Sequence, residues 1–146
     1  MSHEDFVKPG VIYGFRAVCE YGSFSDGQGN IYYFGRSKQK ALLDFESAPG
    51  TEATQKELLR TKCRRVGMNA PSRMLLWAKV PDVEKCWDEF RQQLRWSRFE
   101  VEGMKRPEVT HQCAVGDNWF TVANVDVSDF GEWCRAIMQK LLDAQA

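Results

Sequence analysis

Ile31-Tyr32-Tyr33-Phe34-Gly35-Arg36-Ser37, with Gly10-Val11-Ile12-Tyr13 upstream of it, decides how this chain is to be read. Both stretches are rich in β-branched and aromatic residues, which predicts strands over 11–18 and 31–36. Between them lies Tyr21-Gly22-Ser23-Phe24-Ser25-Asp26-Gly27-Gln28-Gly29-Asn30, whose Gly, Asp and Asn supply the backbone angles of a reversal. The expected result is a hairpin that brings Tyr13 near Tyr33. Side chains alternate along a strand, so Ile31, Tyr33 and Gly35 share one face while Tyr32, Phe34 and Arg36 take the other. Gly35 is expected to leave its face open beside Tyr33, where a ligand would approach.

Downstream the pattern changes to helices and further strands. Ser37 caps an expected short helix to about residue 46, and Ser47-Ala48-Pro49-Gly50 breaks it. Thr54 with Glu57 is a capping-box pattern that opens a basic helix to about residue 66. Met74-Leu75-Leu76-Trp77-Ala78 reads as a strand, continuous enough in apolar residues to be central in a sheet. After Pro81-Asp82, the spacing of Val83, Cys86, Trp87, Phe90 and Leu94 predicts a helix with one apolar stripe. Residues 98–102 are expected as a short edge strand or an irregular segment, 103–118 as a loop, and 119–125 as a strand. Phe130, Trp133, Cys134, Ile137, Met138, Leu141 and Leu142 mark a last helix over about 128–143, capped by Ser128 or Asp126. This order predicts an α+β fold: a small, mainly antiparallel sheet flanked by helices.

Composition narrows the function classes. At 146 residues, with 43% hydrophobic and 12% aromatic residues, the chain is expected to form one folded domain. No apolar run has the length to span a bilayer, and Met1-Ser2-His3-Glu4-Asp5 is no signal peptide. The expectation is therefore no membrane partner and an intracellular location, cytoplasmic or nuclear. Cys19, Cys63, Cys86, Cys113 and Cys134 are scattered and odd in number, which argues against a disulfide framework or a zinc site. His111-x-Cys113 is the tightest pair of metal-ligand types, and two ligands do not make a site. Twenty basic and twenty acidic residues cancel, which counts against strong sequence-independent binding to nucleic acid. The basic residues are nonetheless clustered. Lys56, Arg60, Lys62, Arg64, Arg65 and Arg73 form one group, and Arg91, Arg95, Arg98, Lys105 and Arg106 a second.

Val11-Ile12-Tyr13 followed by Tyr33-Phe34-Gly35-Arg36-Ser37 resembles the paired signature of the GIY-YIG nuclease superfamily, and most of all its phage- and virus-associated branch. Gly116-Asp117-Asn118-Trp119-Phe120 is similar to the segment that often closes the core in that branch, so the likeness spans about residues 10–125. The resemblance implies a GIY-YIG-like fold and a metal-dependent endonuclease that hydrolyses phosphodiesters with Mg²⁺ or Mn²⁺. It implies that Tyr13 and Tyr33 flank the scissile phosphate and that Glu89 holds the metal, with Glu84 as the less favoured substitute. Gly35 and Arg36, with Lys56 and Arg65, become the candidates for contacting nucleic acid. A free phenol titrates near 10, so a tyrosine base needs a cation or a metal-bound water beside it.

The sequence also departs from the family. Lys38-Gln39-Lys40-Ala41-Leu42-Leu43-Asp44-Phe45 has no arginine where the family places one on its first helix. If residues 38–53 are an insertion, Arg60 or Arg64 takes that role; otherwise the site has decayed. The branch often has a histidine four residues after the glutamate, and here that place holds Gln93. The step from Tyr13 to Tyr33 is longer than the family's. The alternative reading is a degenerate GIY-YIG-like module that binds nucleic acid, a nucleotide or a protein, and a third is a purely structural module.

Lys56, Arg60, Arg64 and Arg65 fall at spacings that gather several of them on one side of a helix. Each phosphate contact releases a counterion, so such a surface loses affinity as salt rises. The double substitution Arg60→Ala/Arg64→Ala is expected to weaken nucleic-acid binding and flatten its salt dependence while the fold survives. Fluorescence anisotropy across a salt series checks this, and an unchanged affinity and slope would refute it.

Overall fold

Apolar side chains leave both faces of the motif strands, and that double-sidedness organises the fold. The computed structural model describes residues 7–18, 30–38 and 73–145. Five strands, β1 (Gly10–Val18), β2 (Asn30–Ser37), β3 (Arg73–Val80), β4 (Glu108–His111) and β5 (Trp119–Ala123), form one sheet in the order β3-β1-β2-β5-β4. Every pairing is antiparallel. Two helices, α1 (Val83–Arg95) and α2 (Val127–Gln145), complete the described α+β fold. No helix among the described residues is long and apolar enough to cross a membrane. The expected helices over 37–46 and 54–66, and the expected reversal over 21–30, lie outside the described residues.

Both helices pack on one face of the sheet. Ile12, Tyr32, Phe34, Leu76, Phe120 and Val122 meet Trp87 and Phe90 of α1 and Phe130, Trp133 and Ile137 of α2 in one buried cluster. The helical stripes read from the sequence are the buried sides of α1 and α2. Each helix begins at an aspartate. Asp82 accepts a hydrogen bond from the Lys85 amide at 3.3 Å, and Asp126 Oδ1 accepts from the Asp129 amide at 2.8 Å. Of the two caps weighed for the last helix, Asp126 holds the position. The opposite face carries a second cluster: Val11, Tyr13, Phe15, Ala17, Ile31, Tyr33 and Trp119, with Met74, Trp77 and Val115 against it.

Two glycines set the register of β1 on β2. Tyr13 pairs with Gly35, and the next position, Gly14, pairs with Phe34. On one face the Phe34 ring occupies the space above Gly14. On the other, a Cβ at Gly35 would stand 2.8 Å from Tyr33 Cε1 and 2.9 Å from the Tyr13 hydroxyl. The opening expected at Gly35 is therefore filled by the chain's own tyrosines, because the residue that faces Gly35 across the ladder is an aromatic one.

Two expectations change, and one alternative is settled. Residues 108–111 are a strand, although the segment was expected as loop: Glu108, Thr110 and His111 gave no apolar run, and pairing with β5 supplies the backbone partners. Of the two alternatives for residues 98–102, the irregular segment is the one observed. β3 stands at the end of the described strand order, not at its centre. Its continuous apolar run reflects burial on both faces, which an end strand also has when both faces are packed.

Gly35→Ala should destabilise the fold by about 1–3 kcal/mol, the usual cost of forcing a methyl into a filled space. Urea unfolding at constant m-value measures it. A variant as stable as the parent would show that the tyrosines yield freely.

Candidate functional site

Tyr13 and Tyr33 sit diagonally on adjacent strands of the same face, with ring centroids 6.1 Å apart and 31° between planes. The alternation read from the sequence places them there, and the Tyr13–Gly35 pairing lets the rings approach. Among the described residues, their ring neighbours are aromatic. Phe15 stacks on Tyr33 at 5.2 Å, Trp119 meets Tyr33 edge-on at 5.1 Å, and Trp77 lies 6.2 Å from Tyr13. Tyr13 is 2% exposed and Tyr33 6%, so neither ring borders an open cleft. Asn118 Nδ2 donates to the Tyr33 hydroxyl at 3.4 Å. The buried Trp77 Nε1 has no hydrogen-bond partner among the described residues.

Burial raises the Tyr13 phenol well above its ordinary range, and the neighbouring Tyr33, through its charge and a hydrogen bond, raises it further. A phenol held neutral by its surroundings positions an oxygen and donates a hydrogen bond. It takes up no proton near neutral pH.

The candidate metal ligand stands elsewhere. Glu89 is on α1, the helix packed on the other face of the sheet, and its Oε2 accepts a 2.8 Å hydrogen bond from Gln145 Nε2 of α2. Glu89 thus ties the two helices together. Gln93 is also structural, because its buried Oε1 accepts from the Arg98 amide at 2.9 Å and fixes the chain leaving α1. The Mg²⁺ or Mn²⁺ implied by the resemblance does not fit a set made of Glu89 and the two tyrosines, since the sheet separates them.

Arg36 belongs to the helix side as well. Its guanidinium lies over Trp87, 5.5 Å from the ring centroid, and its Nε donates to Glu84 Oε2 at 3.0 Å. Lys38 Nζ approaches Glu84 Oε1 at 3.1 Å. The two cations hold the Glu84 carboxylate below its usual range, mainly through these hydrogen bonds. All three side chains are substantially exposed, so the cluster adds little stability. Gly35 and Arg36 are adjacent in sequence yet face opposite sides. Lys56, Arg60, Arg64 and Arg65 lie outside the described residues.

A recess that the sequence reading did not assemble lies where α1 ends beside β4 and β5. A cavity of ≈ 280 Å³ is lined by Arg91, Gln92, Arg95, His111, Asp117 and Phe120. The signal was present in part, since Arg91 and Arg95 stand four residues apart on a predicted helix. The pairing of β4 with β5, which brings His111 opposite Phe120, was not.

Comparison with known proteins returns no matching family model, no matching curated protein and no matching solved structure. The site therefore rests on its own geometry.

Tyr13 gives a pH signature. Above about pH 10 an unfolded tyrosine loses its proton while Tyr13 in the fold keeps it. The folded state then binds more protons than the unfolded one, so the stability present below pH 10 is lost as pH rises. Tyr13→Phe should shrink the fall in urea midpoint between about pH 9 and pH 11. An identical fall in both proteins would show that Tyr13 titrates normally.

Proposed function

We propose that this chain is a GIY-YIG-like module that binds single-stranded nucleic acid without hydrolysing it through the tyrosine pair. The observation that carries the binding half is Trp96. It is 80% exposed at the end of α1, with Arg95 before it and Arg98 two residues after. An exposed indole with arginines close to it in sequence offers a base a stacking surface and its phosphates countercharge. The non-catalytic half is supported by the position of Glu89 across the sheet from Tyr13 and Tyr33, and by the shielded Tyr13 phenol.

Labelled single-stranded DNA and RNA oligonucleotides, titrated across salt and incubated with Mg²⁺ or Mn²⁺, test both halves. Salt-dependent binding with intact oligonucleotide is expected. Trp96→Ala should weaken binding by about 1–3 kcal/mol, the worth of one base–aromatic stack. Glu89→Gln should leave affinity unchanged. Cleavage that disappears in Tyr13→Phe or Glu89→Gln would overturn the non-catalytic half. Binding indifferent to Trp96→Ala would overturn the proposed surface.

A further inference from the structure

We propose that Cys113, His111 and the Asp117 carbonyl form a thiol-nucleophile site for small electrophiles bearing a carboxylate or phosphate, which Arg91 and Arg95 recruit. It shares Arg95, and no other residue, with the surface proposed for nucleic acid. Its first support is a directional relay. His111 Nε2 lies 2.7 Å from the backbone oxygen of Asp117. A carbonyl only accepts, so Nε2 carries the hydrogen and Nδ1 presents its lone pair. Cys113 Sγ stands 3.1 Å from that Nδ1. A nucleophile, a base within reach of its proton, and a third group that fixes the base's tautomer are the parts that nucleophilic catalysis requires.

The ring is held at one face and at both nitrogens. It stacks on Phe120 with centroids 5.0 Å apart, and β4–β5 pairing places His111 directly opposite Phe120. The loop between these strands is closed by the Gln112 amide donating to the Trp119 carbonyl at 2.9 Å, and by the Val115 amide donating to the Gln112 carbonyl at 3.0 Å. Cys113 therefore leaves the sheet just after His111 and stays exposed. The two other described cysteines, Cys86 and Cys134, are buried, and burial pushes both thiols up, Cys86 to about 11. Among the described cysteines the chemistry belongs to Cys113.

The second support is the cavity. His111 is part of its wall, beside the guanidinium groups of Arg91 and Arg95. Arg95 Nη2 donates to the same Nδ1 at 3.3 Å, so the guanidinium shares that one lone pair with the Cys113 thiol. Arg91 is shared with Asp88 at 3.4 Å, and its guanidinium lies 5.5 Å from the centroid of Trp87. The charged groups facing His111 are thus Arg95 from α1 and Asp117 from the loop, with Arg91 on the same wall. Asp88 and Asp117 offset part of this positive charge, and the guanidinium fork matches carboxylate or phosphate oxygens.

The step balances without a co-reactant. Sulfur attacks the electrophilic carbon and the carbon–sulfur bond forms. The leaving group departs with its electron pair, and the thiol proton passes to Nδ1 and then to water.

Alkylation of the full chain with iodoacetate and iodoacetamide tests the site, with Cys113 followed by peptide mass. Iodoacetate bears the carboxylate and iodoacetamide does not. Iodide is lost from both. At Cys113 the iodoacetate-to-iodoacetamide rate ratio should exceed that of free cysteine by about tenfold, and inorganic phosphate should lower it. Arg91→Gln/Arg95→Gln, at two exposed positions, should bring the ratio down to that of free cysteine. His111→Gln should slow both reagents by about tenfold or more, as loss of a positioned base does. A ratio equal to that of free cysteine and unmoved by the arginine substitutions overturns the anion recess. Rates at Cys113 that ignore His111→Gln in a protein with unchanged circular dichroism overturn the relay.

Discussion

The fit of an aromatic ring onto a glycine across the β1–β2 ladder is the constraint on which the rest of this structure depends. Strands whose two faces are both apolar have a weakly specified register, because a one-residue slip exchanges one apolar face for another. Here a slip would lift Phe34 from Gly14 and Tyr13 from Gly35, setting bulky rings against side chains. The two contacts lie on successive positions and opposite faces, so they lock both faces at once. The helix-side cluster and the aromatic cluster each take their composition from that register.

The same constraint separates groups that a short motif makes neighbours. Tyr33 and Gly35 face the aromatic cluster, whereas Arg36 turns to Trp87 and Glu84 on the helix side. Glu89 follows α1 to that side and spends its carboxylate on Gln145. A carboxylate and a phenol on opposite faces of a packed sheet do not share a ligand. The tyrosine pair packs within the aromatic cluster, where burial raises the Tyr13 phenol above its ordinary range.

Functional groups gather instead at the end of α1. Helical spacing aligns Arg91 with Arg95, and the β4–β5 hairpin delivers His111 to them. The hairpin also fixes the tautomer of His111 through its own backbone, since the Asp117 carbonyl comes from the loop it closes. Local chain geometry and helix packing meet at one imidazole.

By itself the sequence determined the motif strands, the face shared by Tyr13 and Tyr33, the buried stripes of both described helices and the α+β class. Each of these follows from periodicity along a single element, which is a local property. Tertiary structure alone decided that β3 lies at the end of the strand order, that residues 108–111 pair as a strand, and that Gly35 is covered by Tyr13. It also decided that Glu89 faces α2 and that Cys113, His111 and Arg95 converge. These depend on which element lies beside which. A strand of mixed polarity carries no periodic signal of its partner, and a helical glutamate at the edge of an apolar stripe carries none of the side chain that will meet it.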